Sequence, residues 1–248
     1  MPSNWPSADS LSLRGVRVCH GNQVILSNVN LDVQAGAKVF ICGETGSGKS
    51  TLLIALLRLC PVQQGSIQAD GVEIAQATPS IIRERCFIVV PQDAFFQPDI
   101  SLRSNIDPMD HHSTEEITQA LQQLHLWSHF QDASTGCHDD SRVLALPLSY
   151  FPPLSAGQKQ LLSLVRSVLG ARDQVKQGRK PIILLDEPTA NLDDEYESLS
   201  SSVIEQEFAD KGHTVLMITH SSKDLRERVK PAKDAIIRIN NGSMSVVA

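Results

Sequence analysis

Gly43-Glu44-Thr45-Gly46-Ser47-Gly48-Lys49-Ser50 decides how this chain is read. The stretch satisfies G-x-x-x-x-G-K-[ST], a phosphate-binding loop. Glycines let successive backbone N–H groups turn inward onto phosphate oxygens. The pattern places Lys49 to reach β- and γ-phosphates and the Ser50 hydroxyl to ligate Mg2+. The flanks agree. Ala37 to Cys42 reads as a buried strand, and Ser50 to Leu59 as a helix that Pro61 stops. That helix N-terminus puts partial positive charge under the phosphates. A glycine turn without a ligand is the plain alternative, and the strand–loop–helix setting argues against it.

The 248 residues are enough for one large domain or two small ones, with a sizeable core. Hydrophobic residues make up 41% and charged residues 20%, an ordinary globular composition. The net charge of −6 and the scattered Lys and Arg argue against nucleic acid as a partner. Cys19, Cys42, Cys60, Cys86 and Cys137 show no C-x-x-C spacing, so they read as small buried hydrophobes in a reducing compartment. Apolar runs such as Leu52 to Leu57 are too short to span a bilayer. No secretory signal is visible, so any membrane role must come through a partner or another part of the polypeptide.

Residues 1–10 read as a linker. Strands are expected at Leu11–Val18 and Val24–Val33, then a strand pair within Gly65–Ile74 and another strand at Cys86–Val90. Ser113-Thr114-Glu115-Glu116 is a capping box, opening an amphipathic helix through Ile117, Ala120, Leu121 and Leu124. A polar, proline-containing region covers 131–153. Gln158 to Leu169 reads as a helix closed by Gly170, with Gly170 to Lys180 a surface loop. Strands at Lys180–Asp186, Thr214–Thr219 and Ala235–Ile239, with a helix at Asp194–Asp210, complete a βα alternation. That alternation predicts an α/β fold with a mainly parallel sheet covered on both faces.

Ile182-Ile183-Leu184-Leu185-Asp186-Glu187 is an apolar strand ending in two acids, a Walker B pattern. Asp186 is suited to hold Mg2+. If the strand continues, Glu187 faces the other way and polarises the water that attacks the γ-phosphate. A capped strand end with surface acids is the bland alternative. Leu154-Ser155-Ala156-Gly157-Gln158 precedes this strand by some thirty residues. Ser155 and the Gly157 N–H there offer an anion donors at a helix N-terminus.

Leu154 to Gln158 resembles the LSGGQ signature of ATP-binding-cassette (ABC) ATPases, with Ala156 in place of the first glycine. From about residue 11 to 248 the motifs follow that family's order. The resemblance implies a P-loop NTPase with a RecA-like, mainly parallel core (11–92 and 164–248), an antiparallel β edge and a helical subdomain (93–163). It implies that Gly43, Glu44, Thr45, Gly46, Ser47, Gly48, Lys49, Ser50 and Thr51 surround the phosphates of ATP. Gln92 falls at the Q-loop glutamine, a Mg2+ sensor and ligand beside Ser50 and Asp186. Asp193 falls in the D-loop Ala190-Asn191-Leu192-Asp193, and His220 at the switch histidine. His20 stands where the family has an adenine-stacking aromatic, usually Tyr.

Finer details resemble the second nucleotide-binding domain of C-subfamily, multidrug-resistance-associated transporters. These are Asn4-Trp5-Pro6-Ser7, Ile41 to Gly48, Arg103-Ser104-Asn105-Ile106-Asp107-Pro108 and Ser155 to Leu161. The Leu146–Pro153 segment instead departs from the family's acidic, glycine-containing run, which touches the transmembrane domains.

The expected function is an ATP-hydrolysing motor at the cytosolic face of a membrane, joined to transmembrane domains. It would form a head-to-tail sandwich with a second cassette, from the same or a different chain. Lys49, Ser50, Gln92, Asp186, Glu187 and His220 would act on one ATP. Leu154, Ser155, Ala156, Gly157 and Gln158 would complete the partner's ATP. A soluble, non-transport ATP switch is the competing function, and a piece of a longer transporter that does nothing alone is a third.

Overall fold

The computed structural model describes residues 4–134, 139–189, 192–219, 229–230 and 233–247. Strands β1 (Leu11–His20), β2 (Gln23–Val33) and β3 (Lys38–Cys42) lead to helix α1 (Lys49–Leu56). Then come β4 (Gln64–Ala69), β5 (Val72–Glu73), the short α2 (Pro79–Ile81) and β6 (Phe87–Val90). Five helices follow: α3 (Leu102–Ile106), α4 (Thr114–Gln123), α5 (Trp127–Ala133), α6 (Asp140–Ala145) and α7 (Ala156–Lys176). Strand β7 (Ile182–Asp186), helix α8 (Asp194–Ile204), β8 (Val215–Ile218), β9 (Ala235–Asn240) and β10 (Ser243–Val246) complete the described α-helices and strands, and π-helical turns at Ile82–Cys86 and Glu205–Ala209 and a 3-10 turn at Ile74–Gln76 lie between them.

The chain divides into two compact units, one of residues up to Val89 with Gln177–Glu187 and Phe208 onward, the other of Val90–Lys176 with Pro188–Glu207. The first carries both sheets. One has six strands in the order β10-β9-β3-β8-β7-β6, the other four in the order β2-β1-β4-β5. Strand β3 runs parallel to β8 and β9, and β7 parallel to β8. Strand β10 is antiparallel to β9, and the β1–β2, β1–β4 and β4–β5 pairs of the four-stranded sheet are antiparallel. The α/β class with its parallel core is as expected, and the antiparallel part is a sheet of its own. Strand β7 is apolar throughout because Ile182, Ile183, Leu184 and Leu185 are all buried, as a strand covered on both faces requires.

The second unit is helical. Helix α4 begins with a reciprocal capping box, as its sequence predicts: the Ser113 hydroxyl accepts from Glu116 N–H and the Glu116 carboxylate from Ser113 N–H. Phe130 packs edge-on against Phe151, with ring centroids 5.0 Å apart. The expected insertion, 93–163, lies within this unit. Its Arg-x-Asn-x-Asp-Pro stretch is an internal brace. Asn105 donates to Gln97 O and Ser101 O and accepts from Gln97 N–H. Arg103 holds Asp110 and His112 O, and Asp107 accepts from His112 N–H.

Two expected helix ends need correction, and some elements were not foreseen. Helix α1 ends at Leu56, well before Pro61, where Arg58 turns left-handed at φ 53°. Gly170 does not close a helix: α7 runs 21 residues through it, and the turn comes at Gly178, φ 73°. The expected loop 170–180 is therefore mostly helix. The region 131–153 holds α6 and a 3-10 turn at Leu148–Tyr150. Strand β10 was not foreseen, although Asn241-Gly242 is a strong hairpin signal.

The segment read as a linker is tied down from Trp5 onward. Trp5 is buried and its indole N–H donates to Ala69 O. The Asp70 carboxylate accepts from Ser7, Ala8 and Ser10 N–H. Asp9 is wholly buried and accepts from Thr214 N–H at 2.8 Å. Burial raises the Asp9 pKa from the ordinary carboxylate range, against the hydrogen bond from Thr214 and the nearby Lys180 charge.

Candidate functional site: a nucleotide-phosphate cradle

Three parallel strands deliver the chemistry to one edge of the six-stranded sheet. The phosphate loop leaves β3, and Asp186 ends β7. Asp186 is in register with Ile218 of β8, and Ile218 with Ile41 of β3. Two strand spacings put Asp186 roughly 10 Å from the row that opens into Gly43. Ligands of open α/β sheets bind at these carboxyl ends.

Gly43 and Gly48 are required by space as well as by backbone angle. Gly43 lies at φ 153°, and a Cβ there would meet Ile239 O at 2.2 Å. Gly48 lies at φ 109°, where a Cβ would meet Leu26 Cδ2 at 2.8 Å. Gly48 is also the N-cap of α1, which has no side-chain cap. Lys49 is 5% exposed, and its ammonium donates to Gly43 O (2.8 Å) and Glu44 O (3.0 Å). A buried ammonium thus sits on the loop's own carbonyls. The Ser47 hydroxyl is buried without a hydrogen-bond partner among the described residues. Glycine curvature, an uncapped helix start and a buried ammonium are the donor set of a phosphate site. Ser50 is exposed and Asp186 half-buried, and their hydroxyl and carboxylate oxygens are hard donors that suit Mg2+.

The structure departs from strand alternation at Glu187. Strand β7 stops at Asp186, and Glu187 takes a left-handed φ of 52°. That conformation costs a non-glycine residue about 1–2 kcal/mol. Its N–H nevertheless donates to Ile218 O at 3.2 Å, and Thr219 N–H to Ile41 O at 3.1 Å. A backbone turn, not pleat alternation, therefore aims the Glu187 side chain. His220 follows Thr219 and lies outside the described residues, as do Ala190 and Asn191. His20 is exposed at the end of β1, in register with Gln23.

The second unit holds the other motifs. Ser155 and Gln158 cap α7 reciprocally: Ser155 Oγ accepts from Gln158 N–H (3.1 Å), and Gln158 Oε1 from Ser155 N–H (2.9 Å). Leu154 is half-buried, Ser155 and Ala156 are exposed, and Gly157 is buried. Gln92 is exposed, and the carbonyl before it, Pro91 O, accepts from Gln160 Nε2 of α7. The sequence reading missed this role of Gln160, because its spacing matches only the buried face of a helix. Asp193 is the N-cap of α8, accepting from Tyr196 N–H at 3.0 Å. A cavity of about 430 Å3 is lined by Phe95, Phe96, Leu148, Phe151, Pro153 and Lys159, and Phe95 is 74% exposed. Below it, Arg166 stacks over Phe96 at 4.5 Å and donates to Asn105 O.

The sequence profile of the family described as ABC transporter matches residues 26–190, two thirds of the chain. The chain belongs to the ABC transporter family. Its P-loop cradle is that of the family's ATP-binding, ATP-hydrolysing domain. ABC transporter FGM5 of Gibberella zeae is 35% identical over 238 residues, 87% of this chain and 15% of that protein. ABC transporter FUM19 of Gibberella moniliformis is 33% identical over 241 residues, again 15% of its length. Bile pigment transporter 1 of Saccharomyces cerevisiae is 31% identical over 97% of this chain and 15% of that one. This cassette thus spans about 15% of the length of these relatives. In fold it is similar to a bacterial Atm1-family ABC exporter with ATP bound. The TM-score is 0.74 at 24% identity, over 96% of this chain and 38% of that one. Among the described residues no helix is long and apolar enough to cross a membrane.

Proposed function

We propose that this cassette is the ATP-driven motor of a membrane exporter, working at the cytosolic face as a head-to-tail sandwich with a second cassette. The observation that carries this is the register row Ile41–Ile218–Asp186, which sets the Walker B acid on the same sheet edge as the glycine cradle. Lys49 and the loop amides hold the β- and γ-phosphates, and His20 stacks on adenine. Ser50, Asp186 and Gln92 would hold Mg2+, which when bound supplies charge neutralisation on the phosphates. Glu187, fixed by its left-handed backbone, accepts the proton of the attacking water, and His220 contacts the γ-phosphate. Ser155 keeps its hydroxyl proton for donation while capping α7, so it can bind the partner's γ-phosphate together with Gly157 N–H. Leu154, Ala156 and Gln158 shape that contact, and Asp193 completes it from the D-loop.

The functional division is a core of 11–92 and 164–248 with a helical subdomain at 93–163. The partly apolar cavity beside Phe95 and Lys159 supports docking of a transmembrane domain. Asn4-Trp5-Pro6-Ser7 and Arg103 to Pro108 support a place as the second nucleotide-binding domain of a C-subfamily transporter.

Glu187→Gln tests the chemistry. Turnover of MgATP should fall about 10²–10⁴-fold with ATP binding retained, and turnover within about threefold of wild type rejects the role of Glu187. An antibody to this cassette, used on separated membrane and soluble fractions of source cells, tests the setting. A membrane band several-fold heavier than this 248-residue chain supports the motor. A soluble band of this size favours an ATP switch.

A further inference from the structure

The β9–β10 hairpin lies beyond the 26–190 segment that the family profile covers, yet it touches the phosphate loop twice. Its turn residues, Asn241 and Gly242, are both left-handed, at φ 46° and 76°. Gly242 N–H donates to Ser47 O at 3.2 Å, and Gly242 O accepts from Ser27 N–H at 2.9 Å. One glycine therefore joins the phosphate loop to β2. No other residue type fits, because a Cβ at 242 would meet Ile25 O at 2.3 Å. The second touch is Ile239 O, which fills the space that a Cβ on Gly43 would need. The hairpin thus backs the loop at its first glycine and at Ser47.

The Ser47 contact has a direct consequence for phosphate binding. Ser47 C=O and Gly48 N–H belong to one planar, trans peptide and point in opposite directions. Holding the carbonyl on Gly242 aims the Gly48 N–H away from the hairpin, as one of the loop's phosphate donors. Among the described residues the buried Ser47 hydroxyl has no partner, so its side chain gives no competing anchor there.

We infer that the β9–β10 hairpin is a latch that sets the orientation of the phosphate loop, with Gly242 as a positioning residue for ATP. The inference rests on the reading of the loop as an ATP-phosphate site. It predicts coupling in both directions: disturbing Gly242 weakens ATP binding, and ATP binding tightens the hairpin.

The test compares Gly242→Ala with Gly71→Ala and Gly178→Ala by calorimetric titration with MgATP, with a thermal melt of each. Gly71 and Gly178 have similar φ values, 70° and 73°, and nothing within 4 Å of a built Cβ. They suffer the same backbone strain without touching the loop. The latch requires Gly242→Ala to weaken ATP binding by about tenfold or more, the scale of a misplaced binding group. Both controls should stay within about twofold of wild type. A folded Gly242→Ala that binds within about twofold overturns the latch. If Gly242→Ala does not fold, amide exchange at Gly242 in the wild-type chain decides. Slowing on addition of ATP supports the latch, and an unchanged rate overturns it. A wild-type chain that binds no ATP overturns the nucleotide reading and the latch with it.

Discussion

Helices α1 and α7 both start at motifs expected to meet phosphate, but they start in opposite ways. Helix α1 begins after Gly48 with no side-chain cap, and its first residue, Lys49, is buried with its ammonium on the loop carbonyls. Helix α7 begins with Ser155 and Gln158 satisfying each other's backbone N–H. The first end has no side-chain cap, so its amides are open to a ligand or to water. The second is complete by itself. Under the proposed function, α1 meets the phosphates with uncapped amides and the Lys49 ammonium. Helix α7 keeps its reciprocal cap without an anion, and under the proposed function it offers the Ser155 hydroxyl proton and the Gly157 N–H.

The largest effect expected from this contrast is at Lys49. Lys49→Ala should lower ATP turnover about 10²–10³-fold, the scale of losing a preorganised charge donor, while the melting temperature of the chain barely moves. A variant that melts early but still hydrolyses ATP would make Lys49 a structural anchor and break the contrast. Ser155→Ala comes next. It removes a cap, so stability in denaturant should drop by about 1 kcal/mol, whereas ATP binding by the isolated chain should hold. Retained stability would show that α7 does not depend on its box.

Gly170→Ala gives a smaller change of opposite sign. Gly170 lies inside α7, so alanine should stabilise the chain by about 0.5–1 kcal/mol. Destabilisation, read in the same denaturant titration, would mean that the helix needs a glycine there.

The smallest effect separates two capping boxes. Glu116 in the α4 box is titratable, whereas Gln158 in the α7 box is not. The Lys176 ammonium, 2.5 Å away, and then the Ser113 N–H hold the Glu116 pKa below its ordinary value. The stabilisation is therefore full above the unfolded value of about 4.3 and is lost as pH falls through the folded pKa. Amide exchange at Ser113 should speed up across that acid window, while exchange at Ser155 should show no such added step. Parallel behaviour of the two amides would show that the Glu116 side chain does not hold Ser113.

The P-loop, Walker B strand and α4 cap were legible because each depends on residue type at fixed local spacing. Gly170 misled because glycine closes a helix only where the backbone turns left-handed, and here packing along α7 carries the helix on to Gly178. Helices α5 and α6, of 7 and 6 residues, are too short to show a clear period. Trp5 to Ser10 has the composition of a linker, and its ties to Ala69, Asp70 and Thr214 span 60 or more positions.

Sequence alone determined the class of fold, the glycine cradle and the chemical types at the site, because strand runs and phosphate loops are local patterns. Tertiary structure decided the rest. It set Asp186 in register with the row entering the loop, turned Glu187 left-handed and placed Gly242 behind Ser47. Each of these is a meeting of segments distant in the chain or a backbone angle imposed by neighbours, which no local spacing encodes.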